Sequence, residues 1–213
     1  VYAVAAVTSD DPTLQATRDA YNNYTKASIT YTFGEQTVTL DGSTLKEWLQ
    51  FDDKGQLVQD DASFTQHIKD FVAQLASEHD TVGTTRSFNT TSGRTVSVYG
   101  SAYGWKIDQT KETAALVSLI KNGEQTSREP EYSQKGASRT GNDYGNTYVE
   151  INLTAQHLYF YVKGKLVVQS DFVSGNAAKG WSTPAGAYSI TYKQRNATLK
   201  GQGYATPVSY WMP

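Results

Sequence analysis

Residues 180–190 have the sequence GWSTPAGAYSI, and this stretch, together with the strands predicted around it, decides the fold. Pro184 restrains Thr183 to an extended conformation. Gly186 can adopt a positive φ or allow another backbone to pass close by. Taken alone, the stretch predicts a glycine-punctuated loop that leads into a strand from Ala187.

The chain around this stretch alternates apolar and polar residues with a period of two, a pattern typical of half-buried β-strands. The predicted strands span residues 148–154, 157–163, 166–173, 187–193 and 206–212. In the fourth strand, Tyr188, Ile190 and Tyr192 would share one face. A Lys-Gly-Lys triplet at 163–165 predicts the hairpin turn between the second and third strands. We therefore expect a mostly antiparallel sheet.

The first half of the chain mixes helices with strands. Asp11 as an N-cap followed by Pro12 predicts a helix start, Ser43 predicts the cap of a second helix, and Gly123 predicts a helix end. Helices are expected over 10–26, 42–51, 61–80 and 108–123, a hairpin over 27–40 that turns at Gly34 and Glu35, and short strands over 94–100 and 104–108. Apolar residues three and four apart give the third helix one buried side, formed by Phe64, Ile68, Phe71, Val72 and Leu75.

Residues 124–146 have a different character, since they lack apolar periodicity and are rich in Gly, Ser, Asn and charge. The sequence therefore predicts an α+β N-terminal domain over 1–125, a connector over 126–146, and a mainly β C-terminal domain over 147–213.

Composition excludes several classes of protein. The 213 residues carry a net charge of −2 and no basic patch, which disfavours binding to nucleic acid. No apolar run approaches the roughly 20 residues of a membrane-spanning helix. The opening VYAVAAV lacks the basic region of a signal peptide, so we interpret the chain as a piece of a longer protein. With no cysteine, these residues hold no disulfide, thiolate metal site or cysteine nucleophile.

The sequence predicts neither a metal site nor a cofactor site. His67 and Asp70 are spaced to meet on a helix, but a partly exposed helix histidine is the simpler interpretation. His79 ends the same helix, where a cation would suit the helix dipole. His157 begins a strand with no second histidine nearby in the sequence. The acidic pairs lack the pattern of a calcium loop, and no phosphate-binding, dinucleotide-binding or G-x-S-x-G motif occurs.

The C-terminal pattern resembles the start of the L,D-transpeptidase catalytic domain, also called the YkuD domain, over residues 147–213. That family combines a Q-x-L strand, a glycine hairpin, an S-x-G segment and a T-P-x-G-x-[FY]-x-I loop. The matching residues are Gln156, Leu158, Tyr161, Gly164, Ser174, Gly175, Thr183, Pro184, Gly186, Tyr188 and Ile190. Residues 1–125 are similar, more loosely, to a peptidoglycan-binding domain that precedes it in some Gram-positive enzymes.

The resemblance implies an enzyme that acts on peptidoglycan. A cysteine would attack a tetrapeptide stem and form a thioester, and an amine of a neighbouring stem would resolve it to a 3→3 cross-link. Carbapenem β-lactams would be inhibitors. The protein would lie outside the cell at the wall, with membrane contact only through an unseen N-terminal anchor. The family's catalytic histidine and cysteine follow a strand that resembles residues 210–213, so we expect the β domain to be incomplete at its C-terminus.

The resemblance also suggests which residues line the site. Tyr210, Trp211 and Met212 adjoin the expected catalytic segment and are the candidate substrate-binding residues. Alternation places Trp211 opposite the other two, so one set would face substrate and the other would pack in the core. The alternative function is a non-catalytic wall-binding module whose tyrosine-rich surfaces hold glycan or peptide.

Overall fold

The structure is a computed structural model that describes residues 11–58, 62–99 and 102–213. It divides into two compact units. The first unit comprises Val1–Thr81 and Gly104–Gly145, and the second comprises Val82–Tyr103 and Asn146–Pro213. No helix in the described part of the chain is long and apolar enough to cross a bilayer.

The described residues form four α-helices and twelve β-strands. The helices are α1 (Pro12–Lys26), α2 (Gly42–Trp48), α3 (Ala62–His79) and α4 (Gln109–Lys121). The strands are β1 (Ser28–Phe33), β2 (Gln36–Leu40), β3 (Arg86–Asn89), β4 (Thr95–Val98), β5 (Lys106–Ile107), β6 (Gln125–Arg128), β7 (Tyr132–Gln134), β8 (Tyr148–Asn152), β9 (His157–Val162), β10 (Lys165–Asp171), β11 (Gln194–Gly201) and β12 (Tyr204–Trp211). The predicted α+β first half and strand-rich second half are confirmed.

The helices begin where side chains can accept hydrogen bonds from the free N–H groups of the first turn. Asp11 accepts from the N–H of Thr13 at 2.8 Å and caps α1 as predicted. For α2 the prediction was wrong, because Asp41 is the N-cap and accepts from the N–H of Ser43 at 2.9 Å. Hydrogen bonds from Ser43 hold the pKa of Asp41 below its usual value. Gly123, at φ +64°, follows the C-cap of α4 as predicted.

The first unit is built around a three-stranded sheet with the order β2-β1-β6. The β1–β2 hairpin turns at Gly34 and Glu35 as predicted, whereas β6 pairs with β1 in parallel. Both β6 and β7 lie in 124–146, where the sequence shows no apolar periodicity. Backbone pairing does not depend on side-chain pattern, and the side chains of β6 are exposed or half-buried, so the strand carries no apolar signal.

The core of the first unit lies between this sheet and the helices. On β1, alternate residues Ile29, Tyr31 and Phe33 are buried, as a strand with one covered face requires. The predicted apolar side of α3 is confirmed, with Phe71 half-buried at its edge. Its fully buried members are Phe64, Ile68, Val72 and Leu75.

A fully buried carboxylate ties α4 to the sheet. Glu112 accepts hydrogen bonds from the Tyr31 hydroxyl at 2.5 Å, from Nη1 of Arg128 at 2.9 Å and from the N–H of Glu131 at 2.6 Å. Burial, together with the neighbouring Glu112 carboxylate, raises the pKa of Tyr31, which stays a neutral donor. The carboxylate is thereby paired and hydrogen-bonded, which makes its burial tolerable.

The second unit contains an antiparallel sheet with the order β10-β9-β8, which confirms the predicted antiparallel arrangement. The hairpin β3–β4 belongs to the same unit, although β3 gave no signal in the sequence. Glu150 on β8 is buried and accepts from the N–H and hydroxyl of Thr91 at 2.9 and 2.6 Å. This carboxylate fixes the β3–β4 turn against the sheet.

Two expectations for the second unit were wrong. Residues 187–193 form no strand, and the strand that pairs with β12 is β11, which starts at Gln194. The apolar residues that alternate over 187–193 therefore do not pack on a sheet. Tyr188, Ile190 and Tyr192 are at least half exposed. Likewise β10 is exposed along its whole length rather than half-buried, since no layer formed by the described residues of the second unit covers it.

The Glu112 network gives a prediction for stability. Replacing Glu112 with Gln removes the buried negative charge that accepts from Tyr31, Arg128 and the N–H of Glu131, so the first unit should lose about 2–4 kcal/mol of unfolding free energy. Urea unfolding should be followed in a Trp181→Phe/Trp211→Phe background, so that Trp48 and Trp105 report on the first unit.

The matched control is Glu131→Gln, which removes an exposed carboxylate that pairs with the same arginine at 3.1 Å. It should change stability by no more than about 0.5 kcal/mol. Equal effects of the two substitutions would contradict a dominant role for the buried carboxylate.

Candidate functional site

The GWSTPAGAYSI stretch forms an ordered loop whose shape depends on backbone contacts. The N–H of Gly175 donates to the hydroxyl of Thr183 at 2.9 Å. A Cβ at Gly175 would lie 1.9 Å from the carbonyl oxygen of Trp181, so only glycine permits this approach. Gly186 has φ +152°, as its expected freedom allows. Thr183 and the two glycines therefore set the path of the backbone.

Gln156, in the turn between β8 and β9, fastens the start of this loop to the sheet. Its Oε1 accepts from the N–H of Ser174 at 2.7 Å, and its Nε2 donates to the Ser174 hydroxyl at 2.9 Å and to the carbonyl of Leu153. Its own carbonyl accepts from the N–H of Phe172 at 2.9 Å. Gln156 has φ +53°, a left-handed conformation that is uncommon for a non-glycine residue. We call these contacts the Gln156 clasp.

Within the loop, a single turn presents an exposed aromatic side chain beside a cation. Asn176 caps the 3₁₀ turn Ala177–Lys179, and its carbonyl accepts from the N–H of Trp181 at 3.0 Å. Gly180 closes the turn at φ +76°. The ammonium of Lys179 lies 5.5 Å from the centre of the Trp181 ring, and Trp181 remains 66% exposed.

The three predicted site residues lie at the end of β12. Tyr210 is exposed, and its hydroxyl accepts from Nη2 of Arg195 on β11 at 3.0 Å. Trp211 is half-buried and donates from Nε1 to the Tyr192 hydroxyl at 3.0 Å. Met212 follows the strand and is exposed. Tyr210 and Met212 are therefore open to solvent, while Trp211 packs on the loop.

Comparison with known proteins gives two family matches. The L,D-transpeptidase catalytic domain matches residues 146–211, and a peptidoglycan binding domain matches residues 7–128. No curated protein sequence matches the chain.

Two solved structures are similar over nearly the whole chain. The Ldtfm–avibactam carbamoyl enzyme is 30% identical, with a TM-score of 0.70, over 94% of this chain and 77% of that one. A cysteine-to-serine mutant of the Enterococcus faecium L,D-transpeptidase is 30% identical, with a TM-score of 0.69, over 92% of this chain and 77% of that one. The chain belongs to the L,D-transpeptidase family.

Family membership explains why the Q-x-L, S-x-G and T-P-x-G segments occur together. In the structure they meet in the Gln156 clasp and the Gly175–Thr183 contact, so the motif encodes one folded loop. Lys179 lies outside the GWSTPAGAYSI stretch, and Trp181 lies within it but at no position of the family motif. A lysine two residues before a tryptophan in a glycine-rich loop was the only available signal for their pairing.

The histidines of this family member do not assemble a metal centre. The ring of His67 stacks on Trp48, with 5.6 Å between centres, and Asp70 instead accepts from Gln66. Nδ1 of His157 lies 2.6 Å from a carboxylate oxygen of Asp171 on the adjacent strand. Across the described ranges, no group of three or more His, Asp or Glu side chains could hold a metal ion.

His79 differs from its predicted role as a cation at the helix end. Its ring stacks on Phe33 with 3.7 Å between centres, and burial lowers its pKa, so it favours the neutral form. Arg139 supplies the cation instead, since its Nη1 donates to the carbonyl of His79 at 2.8 Å. The Arg139 guanidinium also lies 4.2 Å from the centre of the Trp105 ring.

The lowered pKa of His79 gives a pH prediction. Above the unfolded pKa of about 6.5, His79 is neutral in both states and its contribution to stability is fully present. As pH falls below that value, the unfolded chain binds a proton that the folded protein resists, so stability declines. A His79→Phe variant, which keeps the ring stacking, should lose less stability between pH 7.5 and pH 5.5 than the wild type. Urea midpoints measured at both pH values test this, and an identical loss in both proteins would contradict it.

Proposed function

We propose that this protein is a peptidoglycan L,D-transpeptidase that forms 3→3 cross-links. The proposal rests on one observation above the others. The 146–211 segment that matches the catalytic domain folds in the second unit into a sheet with an ordered motif loop and an exposed aromatic end on β12. The resemblance to a carbamoyl enzyme and to a cysteine-to-serine mutant supports covalent chemistry at a cysteine.

The proposed reaction transfers an acyl group in two steps. A thiolate attacks the carbonyl that precedes the terminal D-alanine of a tetrapeptide stem, and D-alanine leaves with a proton on its amine, which gives a thioester. The amine of a neighbouring stem then attacks the thioester, and the thiolate leaves as the new amide forms. A histidine would give a proton to the departing amine in the first step and take one from the attacking amine in the second, and backbone N–H donors would stabilise the oxyanion in both.

The 213 residues contain no cysteine, so they do not include the nucleophile of the proposed reaction. We propose that a segment C-terminal to Pro213 supplies it and packs on the second unit. Support comes from an apolar stripe across the sheet, in which Val149, Ile151 and Val168 are 44%, 54% and 50% exposed. An apolar area of this kind is typical of a surface that another segment covers.

Within these 213 residues, Tyr210, Trp211 and Met212 are the proposed substrate-binding residues. The exposure of Tyr210 and Met212 favours these two for direct contact, while Trp211 would hold Tyr192 in place. Arg195, at the Tyr210 hydroxyl, would offer a cation to the carboxylates of the stem.

We also propose a function for each segment of the chain. Residues 1–125 would bind peptidoglycan, 126–146 would connect, and 147–213 would form the N-terminal part of the catalytic domain. The protein would act outside the cell at the wall, with an N-terminal membrane anchor, and carbapenems would acylate it. A non-catalytic wall-binding module is the second candidate, favoured by the lack of cysteine and by exposed aromatic residues such as Trp181 and Tyr204.

The test compares two proteins from one gene. The full reading frame that contains these residues should convert a disaccharide-tetrapeptide into a 3→3 cross-linked dimer with release of D-alanine, as detected by mass spectrometry. It should also gain the mass of a carbapenem. The 213-residue chain should do neither, because it has no thiol to acylate.

The 213-residue chain should nevertheless bind insoluble peptidoglycan in a sedimentation assay. A full reading frame without cross-linking activity would favour the wall-binding module. Carbapenem acylation of the 213-residue chain would contradict the proposed thiol chemistry.

A further inference from the structure

We propose that Lys179 and Trp181 form a ligand-contacting pair for the carboxylate-bearing end of a peptidoglycan stem peptide. The inference rests on the proposed function and adds to it a second contact, separate from the end of β12. Its basis is an exposed indole and an ammonium that one turn of the loop places 5.5 Å apart.

The exposure of the Trp181 side chain is the first observation. A large aromatic ring that is 66% exposed loses the stabilisation that burial would give it. Exposed tryptophans of this kind are enriched at binding sites, where they contribute large contact areas at low entropic cost. The ring therefore has a surface available for a partner.

The rigidity of the loop is the second observation. The N–H of Trp181 donates to the carbonyl of Asn176, and the Trp181 carbonyl lies close to Gly175, so the backbone on both sides of this residue has a defined path. The Gln156 clasp anchors the preceding residues to the sheet. A ligand that meets a side chain on such a loop does not have to order it first, which favours affinity.

The charge of Lys179 and the apolar ring of Trp181 together indicate which class of ligand would bind. The ammonium of Lys179 carries a positive charge beside the indole, and no acidic side chain pairs with it in the described part of the chain. A ligand with a carboxylate for the lysine and a small aliphatic group for the ring would satisfy both. The terminal D-alanine of a stem peptide presents a methyl group next to a carboxylate, so it fits this description.

The test uses the 213-residue protein and two synthetic tetrapeptide stems, one with a free terminal carboxylate and one with a terminal amide. Binding is followed in every variant by the backbone amide resonances of Gly175 and Gly180 in ¹H–¹⁵N spectra. Trp181→Ala should weaken binding of the free acid about tenfold, while Trp181→Phe should retain much of it. The matched control is Tyr99→Ala, which removes an exposed ring in the same unit and should bind like the wild type.

The amide separates the role of the lysine from that of the ring. The wild type should prefer the free acid, and Lys179→Gln should abolish that preference. The affinity lost when the carboxylate becomes an amide and the affinity lost in Lys179→Gln should therefore not add. Binding of the free acid that is equal in Trp181→Ala and Tyr99→Ala would overturn the inference and leave the proposed function standing. A preference that survives Lys179→Gln would overturn the carboxylate assignment. Failure of the wild type to bind either peptide would overturn stem recognition by this chain, and the inference with it.

Discussion

The second unit depends on one side-chain amide. Gln156 lies in the turn between β8 and β9, and its Oε1 and Nε2 bond to the backbone and the hydroxyl of Ser174. Together with the hydrogen bond from the N–H of Phe172 to the Gln156 carbonyl, this contact joins the loop that follows β10 to the β8–β9 turn. The left-handed φ of Gln156 costs conformational energy, which these hydrogen bonds offset.

The contacts of the candidate site continue along the chain from Gln156 and Ser174. Ser174 fixes Gly175, which lies close to Trp181 and donates to Thr183. The loop then leads to Tyr192, whose hydroxyl accepts from Trp211 at the end of β12. Each of these contacts involves a residue of the loop or a neighbour of a motif position. The family motif therefore describes how the backbone of this loop is held in shape.

The sequence predicted best where long apolar patterns meet a covered face. The helix α3 has such a face, and it was located correctly together with its buried residues. The strand β6 was missed because parallel pairing with β1 uses backbone groups and leaves polar side chains outside. Residues 187–193 show the converse error, since an alternating pattern there meets no covering layer. For the candidate site, motif positions were predictable, but the Lys179–Trp181 pairing depends on a three-residue turn that leaves no periodic signal.

Amide hydrogen exchange at Ser174 tests most directly whether the Gln156 clasp holds the loop. Gln156→Asn keeps an amide and tolerates a left-handed φ, but its side chain is one methylene too short to reach Ser174. Loss of the bond from the Ser174 N–H to Oε1 should accelerate exchange at that position about tenfold, while Gln169→Ala on exposed β10 should leave it unchanged. Unchanged exchange at Ser174 in Gln156→Asn would contradict the account.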